Sequence, residues 1–393
     1  MAQDNKQIER WVAEGIISPE QATKMLSQEQ EKASGKIVTT ISTIGAILLG
    51  IGAILLVASN WQDIPAMAKT LLLIGSTAGA YIAGYMLKYK KDFPKVGSAL
   101  LFLGALLFGA TVFLLAQIYN VDANNSTLVM IWLIGILPLV YALRSVPIAQ
   151  LAILLFYVWL TMQLFQDFDL FRGSVILMPI IYLATGLLIF VIGGYHYIGG
   201  KFSVLARSYR LAGIQVVMFM LFLLSFSAIS APSDYSYGYY NDAITNAHAS
   251  MTSVFITLAI FTILGACGAI FFNPAKSDTS KLENSIAIGL AAIMLVFFYS
   301  PSETFIYPLL FNLILAYLIF VMFQIGYRRH DMRLVNIGMG FTCILIAARY
   351  FDFAWDLMPR SLFFIIGGAI LLMGGIALEK KRKQIKMQFN TPA

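Results

Sequence analysis

The chain repeatedly runs for roughly 17–25 residues with almost no charge, the length at which an α-helix rising 1.5 Å per residue crosses a hydrocarbon core of about 30 Å. Twelve such blocks can be drawn: residues 37–59, 67–87, 96–119, 127–143, 147–165, 175–194, 211–230, 251–272, 285–299, 304–327, 334–348 and 362–378. Apolar residues make up 59% of the 393 positions and charged residues 12%, against about half and a quarter in a soluble domain. The blocks do not alternate polar with apolar, as barrel strands would. Backbone groups in lipid must pair within their own segment, so blocks this long are helices. The expected fold is all-α: a polytopic bundle of about twelve transmembrane helices behind a short cytoplasmic helical hairpin. The ninth and eleventh blocks are short and are expected to borrow residues from their flanks or to tilt little.

Orientation follows from the basic residues of the loops. With the N-terminus in the cytoplasm, 23 of the 27 Lys and Arg fall in the first tail, the even-numbered turns or the last tail; the exceptions are Lys69, Arg172, Arg349 and Arg360. Missing one span would scramble every later loop, so the agreement supports the count and puts both ends in the cytoplasm. The net charge of +7 is then a topology signal plus attraction to anionic lipid, which argues against a nucleic-acid partner.

Four regions follow: a hairpin over 1–36, a four-span unit over 37–145, eight spans over 146–378 and a basic tail over 379–393. In the hairpin, Ile8, Trp11 and Val12 share one helical face and Gly15 suits the end of that helix. Ser18-Pro19-Glu20-Gln21 then supplies an N-cap, a proline at the first helical position and a capping-box glutamine. The segment is too small to bury a core alone, so it is expected to pack on the spans or to bind a protein partner. An offset of 59 superposes Gly45, Ala46, Leu48, Gly50, Leu55, Leu56 and Asp63 on Gly104, Ala105, Leu107, Gly109, Leu114, Leu115 and Asp122, the pattern of a parallel repeat of helix pairs. The longest outer loop, 231–250, is rich in Tyr, Ser, Asn and Asp and reads as an irregular turn.

The stretch from Ile44 to Ala58-Ser59-Asn60-Trp61, the lead-in from Trp11 to Gln21, and Gly109 through Leu115-Ala116-Gln117-Ile118-Tyr119-Asn120 followed by Trp132 resemble the bacterial membrane family known as domain of unknown function 2157. The resemblance covers roughly residues 8–145. It implies a bacterial inner-membrane protein and supplies neither a reaction nor a substrate.

Few residues carry chemistry. No Asp, Glu or His falls in the middle of a drawn span, which weighs against a proton relay. His196 and His330 belong to one side and His248 to the other, so they cannot share a site. Cys267 and Cys343 lie inside apolar blocks without a His or second Cys at metal-ligand spacing. No phosphate or dinucleotide fingerprint follows a strand, and no cofactor is expected. The paired glycines 193–194, 199–200, 367–368 and 374–375, and Gly75 with Gly79, read as close-packing positions. Lys69, one turn into its span, can snorkel outward.

One constellation stands out. The outer ends of three spans carry polar and aromatic residues together: Asn60, Trp61 and Asp63; Gln117, Tyr119, Asn120 and Asp122; and Arg349, Tyr350 and Asp352. An aromatic belt with polar caps explains such residues in any membrane protein. The alternative is an outward-facing pocket in which Arg349, placed against the positive-inside bias, binds an anionic group. Asn60, Trp61, Asp63, Gln117, Tyr119, Asn120, Arg349 and Asp352 are its candidate residues. Three functional classes fit: a transporter or lipid-handling protein with a cavity, a structural or regulatory protein acting through its hairpin, and an enzyme on a lipid-linked substrate using Asp63 or Asp122. Membrane lipid is the common partner.

Overall fold

The computed structural model describes residues 18–22, 64–120, 125–166, 177–198, 200–230, 237–272, 278–299, 306–354 and 360–390, with single positions at 12, 14, 48 and 59. The chain falls into two compact units, Met1–Leu72 and Leu73–Ala393. In the first unit the capping box is formed: Ser18 Oγ accepts from the Gln21 amide at 3.2 Å, and Gln21 Oε1 accepts from the Ser18 amide at 3.0 Å. Two orphan donors of a helix start are thereby satisfied. The remainder of the expected hairpin, the first span and the first copy of the proposed repeat lie outside the described residues.

Among the described residues twelve helices follow: α1 (Ala66–Tyr89), α2 (Pro94–Ile118), α3 (Ser126–Leu143), α4 (Val146–Gln166), α5 (Leu177–Ile198), α6 (Ser203–Leu224), the single turn α7 (Ser227–Ser230), α8 (Tyr237–Phe272), α9 (Asp278–Tyr299), α10 (Ile306–Arg328), α11 (Met332–Ala354) and α12 (Arg360–Asn390). All but α7 are long and apolar enough to cross a membrane. Every expected span after the first is therefore a helix, and the protein is a polytopic helical membrane protein. Large apolar side chains face outward from the helices, among them Ile134, Phe261, Leu264, Leu313 and Leu372, each at least 60% exposed. Lipid is the medium that covers such a surface.

The helices outrun the apolar blocks where polar residues continue the helix. The loop expected over 231–250 is helical from Tyr237 onward, continuous with α8. No proline follows Pro232 there, and Ala243, Ala247 and Ala249 favour the helix. The short ninth block extends back to Asp278 and the eleventh runs from Met332 to Ala354. Helix α6 begins eight residues before the expected start at residue 211 and brings Arg207 and Arg210 inside a spanning helix.

Packing is tightest between α5 and α6. A Cβ at Gly213 would lie 2.6 Å from both the Gly186 carbonyl oxygen and the Phe190 nitrogen, so the two backbones touch where only glycine fits. Around this pair a buried cluster joins α5, α6, α8, α9 and α10 through residues such as Met218, Leu221, Phe255, Ala291, Phe297 and Leu315. A second cluster joins α3 and α4 to α2, α5 and α6. There Gly109 receives the indole of Trp132, whose Nε1 donates to the Ala105 carbonyl at 2.9 Å. Gly84 and Gly97 similarly bring α1 and α2 together, beside a Thr77–Thr111 hydroxyl pair at 2.9 Å. No atom of the described residues lies within 4 Å of a Cβ built on Gly75 or Gly79.

Candidate functional site

Five helices end at one charged chamber of about 390 Å³. Tyr197 comes from the last turn of α5, Arg207 and Arg210 from the first turns of α6, and Glu283 from the start of α9. Arg329, His330 and Asp331 form the turn between α10 and α11. This is the end of the bundle that the count of basic residues assigns to the cytoplasm.

Arg210 is positioned by what α5 lacks. A Cβ on Gly193 would come within 2.6 Å of the Arg210 Cγ and 2.8 Å of its nitrogen, so the bare glycine lets the arginine stem lie across α5. The guanidinium then sits 4.5 Å above the Phe190 ring, a cation–π contact. Its Nη2 donates to Glu283 Oε2. The same carboxylate receives the fork of Arg329, Nη1 to Oε1 at 2.8 Å and Nη2 to Oε2 at 3.0 Å. Bidentate, charge-assisted pairs of this kind are the strong ones. The Arg210 and Glu283 side chains are only 10% and 7% exposed, whereas that of Arg329 is 36% exposed. Glu283 is thus a shared anion: one cation is fixed in the wall and the other opens to solvent.

Asp331 is built differently. It caps α11, its Oδ1 accepting from the Arg333 amide at 3.0 Å. His330 before it takes a left-handed backbone, φ 52°, which turns the chain sharply between the helices. Gly326 permits the approach, since a Cβ there would sit 2.8 Å from Val335. The second carboxylate oxygen of Asp331 meets Arg207 Nη2 at 2.5 Å. The chamber therefore holds three guanidiniums and two carboxylates, one positive charge in excess, with His330 also on its wall.

Below the charges the wall becomes apolar. Phe190, Ile214, Glu283 and Met322 are shared with a narrow crevice of about 30 Å³, lined onward by Leu187, Val217, Leu290 and Leu318. Leu290 in turn borders a smaller void of about 10 Å³ beside Leu221, Leu224, Phe297 and Phe311.

Arg349 lies at the opposite end. Its Nη1 donates to Asp352 at 2.6 Å, its Nη2 to the Ser225 Oγ at 2.5 Å and to the Ser225 carbonyl at 3.1 Å, and its guanidinium lies 4.5 Å over Phe226. Ser225 directly follows α6, so the arginine caps that helix where its carbonyls lack partners and the dipole is negative. Asn312 of α10 donates to the same carbonyl at 2.9 Å. The structure pairs Arg349 with Asp352 and adds Ser225, Phe226 and Asn312. It does not bring Gln117, Tyr119 or Asn120 to them: these three are exposed at the end of α2. Helix α2 packs on α3 and α4, whereas α11 packs on α6, α10 and α12. Asn60, Trp61, Asp63 and Asp122 lie outside the described residues.

The ionic chamber was missed from sequence because each of its charges sits at a hydropathic edge. The available signal was helical spacing: Arg207 and Arg210 are one turn apart, flanked by Val204, Leu205, Leu211 and Ala212, so the apolar pattern of the span continues back past both.

No curated protein and no solved structure matches the chain. Residues 9–149 match the model of a family described as predicted membrane protein (DUF2157), so the N-terminal part of this polytopic protein carries that similarity and the charged chamber lies beyond it.

Proposed function

We propose that this protein is a transporter or lipid-handling protein of the bacterial cytoplasmic membrane, and that the chamber of Arg207, Arg210 and Arg329 is its binding site for an anionic group. The observation that carries this reading is the excess of positive charge in a cavity reachable from solvent. A volume near 390 Å³ is within the usual range for ligand sites, about 300–1,000 Å³. Arg329 is the group that meets the ligand, because it is partly exposed and bound to a carboxylate that Arg210 already serves. The site is placed at this end rather than around Arg349, whose guanidinium is engaged by Ser225, Asp352 and Phe226.

The test is a thermal-stability titration of the detergent-purified protein with inorganic phosphate at constant ionic strength, against chloride. Stabilisation should rise with phosphate concentration, as for any ligand that binds only the folded state. It should be lost in the Arg207→Gln/Arg329→Gln double variant. A wild-type response equal to that of chloride, or one unchanged in the double variant, overturns the assignment. The narrowness of the apolar crevice favours a second reading, a non-catalytic structural or regulatory membrane protein, and that reading expects no specific response.

A further inference from the structure

The charged chamber does not end in a polar floor. It passes directly into the apolar crevice, with Phe190, Ile214, Glu283 and Met322 belonging to both. Beyond Glu283 the crevice wall is aliphatic: Leu187, Val217, Ile286, Leu290 and Leu318. A hydrophilic anion moving past Glu283 would lose every polar partner, which is strongly unfavourable in a dry interior. A hydrocarbon chain would meet only groups of its own kind there.

The mouth of this crevice is crossed by a polar tie between helices. Helix α9 makes its close contacts with α5 and α8, and α10 makes its own with α6 and α11. Glu283 bridges the two groups through Arg210 and Arg329. A ligand anion that takes Arg329 from Glu283 loosens the polar tie between α9 and α10 at the mouth of the crevice, while Arg210 keeps the carboxylate paired.

We infer that the ligand of the chamber is an amphiphilic anion, its charged group on Arg329 and Arg207 and its hydrocarbon chain entering the crevice between α5, α6, α9 and α10. This rests on the anion-site reading given above and specifies the ligand class. The chemistry required is one phosphate- or carboxylate-like head and one flexible apolar chain.

Hexyl phosphate and inorganic phosphate are the probes, titrated by calorimetry into the full-length protein in phosphatidylcholine nanodiscs. Each methylene buried multiplies affinity about fourfold, so two or three suffice for a tenfold difference. Hexyl phosphate should bind at least tenfold more tightly than inorganic phosphate. Filling the crevice from either wall, with Leu290→Trp on α9 or Val217→Phe on α6, should erase that difference. Inorganic phosphate should still bind such a variant as it does the wild type, which also shows that the variant is folded. Equal affinity of the two probes for the wild type overturns the inference, even if neither variant folds. So does a preference for hexyl phosphate that survives in a folded, crevice-filled variant. In both cases the anion site itself stands. Absence of binding by either probe overturns the inference together with the anion site. Nanodiscs containing phosphatidylglycerol separate two sources of such an amphiphile. Weaker binding of hexyl phosphate there identifies a bilayer lipid as the competitor, unchanged binding a water-borne amphiphile, and either result keeps the class.

Discussion

Glu283 shows at the scale of one residue how charge enters this bundle. A lone carboxylate buried to this degree would be strongly unfavourable, and it is tolerated here because two guanidiniums reach it, one from α6 and one from the turn between α10 and α11. Replacing it with alanine leaves Arg210 buried without its carboxylate. The expected loss is about 3–5 kcal/mol, the range for breaking one side of a buried pair. In its pair with Asp331 the Arg207 side chain is 46% exposed, so Arg207→Gln should cost no more than about 1 kcal/mol. Unfolding of both variants in mixed detergent micelles checks the contrast, and equal losses would contradict it. None of this was visible as a pair in the sequence, because Glu283 lies 73 positions from Arg210 and 46 from Arg329. Asp352, three residues from Arg349, was legible for the opposite reason: helical geometry alone puts it there.

At the scale of elements, glycine decides which helices touch. Gly193 and Gly213 make the α5–α6 contact close enough for backbone to meet backbone, and through Gly193 they also place Arg210. Gly213→Val should push the two helices apart at a cost of about 1–3 kcal/mol, the usual penalty for overpacking a filled interior. Gly289 of α9 is a suitable control, since a Cβ there meets nothing within 4 Å among the described residues. Gly289→Ala should change stability by no more than about 1 kcal/mol, the difference in helix propensity. Thermal unfolding in one detergent compares the two, and an undisturbed Gly213→Val would show that the pair can separate freely. Counting glycine pairs in the sequence does not distinguish these positions. Gly193 lies against Arg210 and Gly367 against Tyr350, yet among the described residues nothing lies within 4 Å of a Cβ built on Gly368, Gly374 or Gly375. Which face of a helix meets a neighbour is settled by the bundle, not by the glycine.

At the scale of the molecule, the ends of the helices sort into two sets. The end of α5, the starts of α6, α9 and α11 and the end of α10 meet at the charged chamber, while Ser225, Asn312 and Arg349 meet at the other end. The start of α8 therefore lies away from the chamber. With Cys267 and Cys343 replaced by serine, a single cysteine at Tyr237 should react with a membrane-impermeant thiol reagent in intact cells. One at Arg328 should react only after lysis. The reverse pattern would invert the orientation, and labelling of both in intact cells would break the span count.

The sequence alone determined the helical membrane fold and the places of the later spans, and it gathers its basic residues in alternate loops. These follow from hydrophobic length and from charge counted along the chain, quantities that each segment carries by itself. The ends of the spans were less legible, because hydropathy treats each charge as a boundary, and Arg207, Arg210 and Glu283 continue their helices into the bundle. Tertiary structure decided that Arg210 and Arg329 share Glu283 while Arg207 pairs with Asp331, that Arg349 caps α6 instead of meeting Gln117, and that a chamber opens where five helices end. Those outcomes depend on which helices become neighbours. Pairing energies between residues dozens of positions apart exist only once packing has brought them within a few ångströms.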